Sequence, residues 1–134
     1  CSGVGQRQIV QVRDRSWGTN MESNQYLQRV ADHYCPPPMK FRQVWSQRRG
    51  KPLFIWRPVP PSEAFVALGM VATETPEPPP VNDVRCVPKS FCRPVQEAPV
   101  NIWDDTGGGG KPASMWTVNS LQALWVSIGH DAPQ

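Results

Sequence analysis

The feature that most constrains this chain is a stretch that recurs about 60 residues later. "WRPVPPSEAFVALG" begins at Trp56, and "WTVNSLQALWVSIG" begins at Trp116. Both run from a Trp to an aromatic residue, then Val, a small residue, an aliphatic residue and Gly, so Phe65 corresponds to Trp125. A shared pattern of this length predicts two copies of one structural unit.

The correspondence continues at both ends of these stretches. Gly69 and Gly129 close them, and upstream "VW" at Trp45 matches "IW" at Trp103 at an offset of 58 instead of 60. The difference of two residues falls where "SQRRGKP" becomes "DDTGGGGKP". The extra glycines are therefore expected in a turn, where insertions cost little.

Composition indicates how such units are built. The 134 residues include sixteen prolines and six tryptophans, and 39% of the chain is apolar, which is lower than in most globular domains. This favours a loop-rich β protein whose small core depends on large aromatic anchors. The repeat anchors are Trp45, Trp56, Phe65, Gly69, Trp103, Trp116, Trp125 and Gly129.

Each copy is predicted to fold as strand, turn, strand, loop, strand. "AFVALGMVAT" at 64–73 is interpreted as one strand, and the prolines after Trp56 are expected to end the strand before it. One three-stranded unit cannot bury both faces, so the copies should pack together. The sequence thus predicts a mainly β fold of tandem antiparallel repeats (sandwich, prism or barrel-like) in a module over 39–134, with copies at about 44–76 and 102–134.

Residues 1–38 are predicted to form an N-terminal extension. "QRQIVQVR" at 6–13 favours a strand, and apolar residues at helical spacing in "ESNQYLQRVADHYC" favour one short helix with Ser23 as its N-cap. Two extended segments are the alternative to that helix, and the prolines at 36–38 are expected to end it. Because the chain starts at Cys1 and stops where the first copy continues, we expect a piece of a longer protein.

The charge excludes one class of partner. The net charge of +3, from 14 basic and 11 acidic residues, is too mild to imply nucleic acid. The densest basic group is interpreted as a solvated turn, with a phosphate or anionic-lipid contact as the alternative; it consists of Arg42, Arg48, Arg49 and Lys51. Membrane-spanning helices need about 20 apolar residues in a row, and the sequence contains no such run.

The sequence contains no catalytic motif, so we expect a protein that is not an enzyme and has no cofactor. Only His33 and His130 could act as imidazole bases. A zinc site from His33 and three cysteines has the wrong ligand spacing, and "DDTGGGG" suits a hairpin turn better than a calcium loop. The cysteines, which two disulfides could pair in three ways, are interpreted as thiols in a reducing compartment; they are Cys1, Cys35, Cys86 and Cys92.

Binding of a protein partner is the function that these features favour. Trp-rich β modules with proline-braced loops are stiff, which lowers the entropic cost of capturing an extended peptide. The candidate peptide-binding residues are Arg57, Trp103, Asp104 and Asp105. Two alternatives remain: a structural subunit or segment of a large assembly, and a β domain that binds glycans or lipid head groups.

A family resemblance adds to this interpretation. "FIWRPVPPSEAFVALGMVATETPEPPPVNDVRCV" resembles the "W-x-P-x-P-x-G-[FY]-x-[AS]-L-G" repeat, with its Pro-rich link and "VRCV", of the adaptor-binding β module of the vacuolar-protein-sorting thirteen proteins. The plant family of vacuolar protein sorting sixty-two proteins shares it. "IWDDTGGGGKPASMWTV" resembles the next unit of those proteins. This chain has Glu63-Ala64 where the repeat has Gly before its aromatic residue. In the second copy it has Val118 in place of the proline of "W-x-P".

The resemblance implies a function and a place in the cell. Such a module belongs to a very long protein that moves lipid between organelle membranes, and it binds Pro-x-Pro-type motifs of adaptors that select the membrane. It implies a cytoplasmic location, a protein partner, and association with organelle membranes through the parent protein.

Overall fold

The computed structural model describes residues 24–106, 111–119 and 121–133. These residues are mainly β, as predicted, with one α-helix, α1 (Asn24–Tyr34), that ends before the prolines at 36–38. The expected strand at 6–13 and the N-cap at Ser23 lie outside the described residues. The strands are β1 (Lys40–Gln47), β2 (Leu53–Val59), β3 (Phe65–Val66), β4 (Val71–Thr73), β5 (Val87–Pro88), β6 (Val100–Asp104), β7 (Ala113–Val118) and β8 (Ala123–Ile128).

The strands form three antiparallel sheets. One has the order β1-β2-β4, a second pairs β3 with β5, and the third has the order β6-β7-β8. The two three-stranded sheets correspond to the two sequence copies. None of the helices in the described ranges has the length and apolarity needed to cross a membrane.

The first two strands of each copy share a β-bulge at the same place. Val44 is the extra residue in β1, and Ile102 is the extra residue in β6. The shared bulge keeps the offset of 58 constant along the first strand, and the change to 60 in the second strand comes from the two extra residues in the turn between them. The flanking register pairs are Gln43–Trp56 and Trp45–Ile55 in the first copy, and Asn101–Trp116 and Trp103–Met115 in the second.

Trp56 and Trp116 occupy equivalent positions in the central strands. Both are buried. The Trp56 indole N–H donates to Thr73 Oγ1 at 2.8 Å, and the Trp116 indole N–H donates to Ser127 Oγ at 3.0 Å. Each buried indole thus places its ring in the interior and satisfies its nitrogen on the third strand of its own sheet.

Trp56→Phe and Trp116→Phe should each lower the free energy of unfolding by about 1–2 kcal/mol, because each leaves a hydroxyl without its indole donor and removes ring volume. Urea denaturation followed by circular dichroism measures both losses. Trp103→Phe is the control, since the Trp103 indole N–H makes no hydrogen bond within the described ranges, and it should cost less. Losses that differ several-fold between the two copies would contradict the equivalence.

The third strands align differently from the sequence pattern. Val71 pairs with Trp56, and Trp125 pairs with Trp116, so the structural offset is 54 and not 60. Phe65, which the sequence matched to Trp125, lies instead in β3 opposite Pro88. The predicted strand at 64–73 is therefore two short strands separated by residues 67–70, because those residues contact the second copy and leave their own sheet.

β2 continues past the point where proline was expected to end it. The strand runs to Val59, and Pro58 lies opposite Phe41 of β1. Pairing between β2 and β4 stops at Trp56. Pro58 therefore has a neighbouring strand on one side only, and such an edge position tolerates the missing N–H.

The main core lies between the two three-stranded sheets. It is formed by buried residues of β1, β2, β7, β8 and the segment before β4. Both copies contribute, which fits the expectation that neither unit could bury its faces alone. The buried members are Trp45, Ile55, Met70, Ala113 and Val126.

Residues 68–70 join the copies through the backbone. The Met70 N–H donates to Leu124 O at 2.8 Å, and the Asn119 side-chain amide donates to Leu68 O at 3.1 Å. At Gly69, a Cβ would lie 2.8 Å from the Ala123 Cβ. The close approach of these two backbones therefore requires glycine.

The proline-rich connector is held against the first copy and α1. The Cys86 N–H donates to Pro36 O at 2.8 Å, and Arg85 forms an ion pair with Asp32 of α1. Cys86 itself is fully buried. The segment that contains "VRCV" therefore connects the helix and the residues after it to β3, which pairs with β5.

Candidate functional site

A groove of about 570 Å³ opens between the ends of β1 and β6. One wall is the β1–β2 turn of the first copy, and the other is the equivalent region of the second copy. A neighbouring depression of about 450 Å³ shares four of its residues and extends it along β1 to Gln43. The groove is lined by Trp45, Ser46, Gln47, Arg48, Arg49, Trp103, Asp104, Asp105, Thr106 and Lys111.

The two bulges place equivalent tryptophans side by side in this groove. Trp45 and Trp103 each follow the extra residue of their strand, and their rings meet edge to face at 5.7 Å between centroids. Trp45 is 7% exposed and donates its indole N–H to Lys111 O at 3.2 Å. Trp103 is 37% exposed, so its ring offers an apolar surface to a ligand.

The two arginines of the groove lie on the wall opposite its carboxylates, whereas Lys111 lies on the same wall as the carboxylates. Arg48 and Arg49 belong to the β1–β2 turn, while Asp104 ends β6. The Thr106 hydroxyl and backbone N–H both donate to Asp104 Oδ1, and these bonds hold the pKa of the Asp104 carboxyl below its ordinary value. Asp104 is therefore a fixed negative charge at neutral pH, opposite the arginines.

Asp105 has a structural role within the same groove. Its Oδ1 accepts the Ala113 N–H at 3.2 Å and lies 3.2 Å from His130 Nε2. Its backbone N–H also donates to Ala113 O. The Asp105 carboxylate thus links β7 and the end of β8 to the region after β6, which leaves Asp104 as the carboxylate more available to a ligand.

The structure brings together three of the four residues that the sequence analysis named as candidates for peptide binding. Trp103, Asp104 and Asp105 line the groove, but Arg57 does not. The Arg57 guanidinium lies 5.3 Å from the centre of the Trp125 ring, where it joins the two copies by a cation–π contact. Arg57 therefore lies outside this groove, on an exposed position of β2 beside the second copy.

Sequence reasoning did not assign the other groove residues to the site. Trp45 was taken as an interior anchor, and Arg48 and Arg49 as part of a solvated turn. The sequence did contain one indication of their role: the offset of 58 between Trp45 and Trp103 makes the β1 and β6 regions equivalent. What the sequence did not show is that these two equivalent regions face each other.

The thiols and histidines are dispersed. Cys35, Cys86 and Cys92 are free thiols, and burial raises the pKa of the Cys86 thiol. Cys1 lies outside the described residues. Across residues 24–106, 111–119 and 121–133, no three His, Cys, Asp or Glu side chains converge in a way that could hold a metal ion.

Comparison with known proteins places the chain in a family. Residues 12–123 match the family described as Vacuolar protein sorting-associated protein 62. No curated protein and no solved structure gives a significant match. The family match covers the helix, both copies up to the start of β8, and the connector between them.

Proposed function

The chain belongs to the Vacuolar protein sorting-associated protein 62 family, and from this premise we propose that it is a non-enzymatic interaction module that binds an extended, Pro-containing peptide of an adaptor protein. The ligand lies in the groove between β1 and β6. The family description connects the chain with vacuolar protein sorting, and the peptide is what this module would contribute to that process.

The exposed Trp103 ring beside Trp45 is the observation that carries this proposal. Grooves lined by aromatic rings recognise proline-rich segments, because a polyproline II helix is already extended and loses little entropy on binding. The groove continues along β1 to Gln43, which gives it the elongated form that an extended peptide needs.

The charges of the groove indicate which charged residues should stand on either side of the Pro-x-Pro segment. Arg48 and Arg49 favour an acidic residue on the ligand, whereas Asp104 favours a basic residue or a free N–H on the opposite wall. A Pro-x-Pro segment with one acidic flank therefore fits better than an uncharged one. Complementary charges of this kind contribute mainly to specificity and to the association rate.

The parent protein and its location follow from the resemblance to the adaptor-binding module of the vacuolar-protein-sorting thirteen proteins. In this proposal the chain is part of a larger lipid-transfer protein in the cytoplasm. An adaptor peptide held in the groove would recruit that protein to an organelle membrane contact site.

A Pro-x-Pro peptide array probed with the 134-residue chain should yield binders of micromolar affinity. Trp103→Ala should weaken binding by at least about tenfold, as truncation of an aromatic anchor does. Arg48→Glu should weaken peptides with an acidic flank more than neutral ones. Phe91→Ala is the matched control, because Phe91 is an exposed aromatic residue outside the groove.

Equal binding across the array, or equal affinity of the Trp103→Ala and Phe91→Ala proteins for the best peptide, would contradict the proposal. Circular dichroism melts of each variant separate a loss of binding from a loss of folding. The Arg48→Glu protein gives a second readout that does not depend on the Trp103 ring.

A structural segment of a large assembly is the second candidate function. It is favoured by β6, in which all five residues are exposed, including Val100 and Ile102. Exposed apolar residues on an edge strand are suited to a protein partner that adds along it. Size-exclusion chromatography of the isolated chain distinguishes the two candidates, since this second one expects self-association or poor solubility.

A further inference from the structure

The β1–β2 hairpin, residues 40–59, is strongly basic, unlike the rest of the chain. It contains six of the 14 basic residues and none of the 11 acidic residues, so the remaining chain is net acidic. The overall charge of +3 therefore hides a strongly basic hairpin. Its cations are Lys40, Arg42, Arg48, Arg49, Lys51 and Arg57.

Two of these cations face each other across the strands. Arg42 is the register partner of Arg57, and directly opposed residues project from the same face of a sheet. Both side chains are exposed. Like charges in this position repel and destabilise the pair unless an anion lies near them.

The geometry of the pair is partly fixed in advance. The Trp125 ring supports the Arg57 guanidinium, which reduces the freedom that a bound anion would otherwise have to remove. The described residues form two ion pairs, Arg85 with Asp32 and His130 with Asp105. Neither involves a cation of the hairpin.

An exposed apolar residue lies at the same end of the hairpin. Met39 precedes β1, is 61% exposed, and donates its backbone N–H to Val59 O at 2.8 Å. Lys40 and Arg42 are two residues apart and share one face of the strand, whereas Met39, one residue before Lys40, starts on the other face at the end of the strand. An apolar side chain next to several cations is the combination by which peripheral proteins bind the interface of an anionic bilayer.

We propose that the β1–β2 hairpin is a membrane-docking surface for anionic lipid, with Arg42 and Arg57 on lipid phosphates and Met39 at the headgroup boundary. This goes beyond peptide binding, because it gives the module its own contact with the membrane. Arg42 and Arg57 lie at the other end of the hairpin from Arg48 and Arg49, which line the groove, although the depression beside the groove reaches Gln43 next to Arg42.

Vesicle co-sedimentation of the whole chain tests this proposal. The chain should bind vesicles of phosphatidylcholine with phosphatidylserine, and should not bind vesicles of phosphatidylcholine alone. Arg42→Gln/Arg57→Gln should weaken binding by about 25-fold, or about fivefold for each basic residue removed from an anionic surface. Salt at about 1 M, where the screening length is about 3 Å, should release the protein.

The matched control is Lys89→Gln/Arg93→Gln, which changes the net charge equally at exposed positions outside the hairpin. It should bind nearly as well as the unmodified chain. Removal of like charges that face each other should offset much of the loss of the Arg57–Trp125 cation–π contact, so the Arg42→Gln/Arg57→Gln protein should stay folded with at most a small loss of stability. A melting curve therefore shows that this variant is folded when its vesicle binding is measured.

Equal vesicle binding by the two double variants would overturn the proposal, and so would an absence of binding to the anionic vesicles. Tighter binding to a labelled RNA duplex than to the vesicles at the same salt would also overturn it. Release of the protein from vesicles by millimolar inorganic phosphate alone would assign the site to free phosphate and not to a membrane. Met39→Asn should weaken vesicle binding at low salt although it leaves the net charge of the hairpin unchanged.

Discussion

Ile55→Ala is expected to lower the free energy of unfolding by about 2–5 kcal/mol, which is the range for removing a buried aliphatic side chain when the cavity cannot close. Ile55 has no exposed surface and lies between Trp45 and residues of the second copy in the main core. Because the core belongs to both copies, the loss should reduce the stability of the whole β module and not of one sheet alone.

Ile128→Ala provides a control with the same chemical change. Ile128 lies at the end of β8 and is 61% exposed, so its truncation should cost about 0.5 kcal/mol or less. Urea denaturation followed by both circular dichroism and tryptophan fluorescence gives the two values. Similar losses for Ile55→Ala and Ile128→Ala, or separate transitions by the two probes, would contradict a shared core.

Gly69→Ala is expected to destabilise the protein by about 1–3 kcal/mol, the usual cost of adding a methyl group to a packed site. An added Cβ would lie 2.8 Å from the Ala123 Cβ and 3.1 Å from Leu124 O. Where the added methyl group meets no neighbour, a Gly→Ala change instead stabilises the folded state by about 0.4–1 kcal/mol, because it restricts the unfolded chain. The sign of the measured effect therefore reports directly on the contact between the copies.

A double-mutant cycle isolates that contact. Ala123→Gly removes the nearer of the two clashing atoms, so Gly69→Ala should cost less in the Ala123→Gly protein than in the original chain. A difference of about 1 kcal/mol would be typical of residues in direct contact. Purely additive losses would show that residues 68–70 do not meet β8 in solution.

The repeat explains how much of this fold could be predicted. The offsets of 58 and 60 identified the first two strands of each copy, and the equivalence of Trp56 with Trp116 is present in the structure with matching hydrogen bonds. The third strand was aligned wrongly, because similar letters at Val66 and Val126 outweighed the pairing that decides register. Just before β4 the chain contacts the second copy, where the Met70 N–H donates to Leu124 O, and one copy read alone cannot show this contact.

The candidate site could be predicted less well for a related reason. Trp103 and Asp104, which the sequence analysis named as candidate peptide-binding residues, both line the groove. The opposing wall, with Trp45 and Arg48, comes from the other copy and from a position more than fifty residues earlier. Composition and motif can find the residues of one wall, but only the packing of the two sheets shows which residues face them.

The shared core has a consequence for any attempt to divide this chain. Both three-stranded sheets have the same bulge and the same bonded indole, but the core between them takes residues from both. The proline-rich linker keeps the two sheets on one polypeptide, and therefore each at a high effective concentration near the other. If the two copies were made as separate polypeptides, their association, and with it their stability, would depend on concentration.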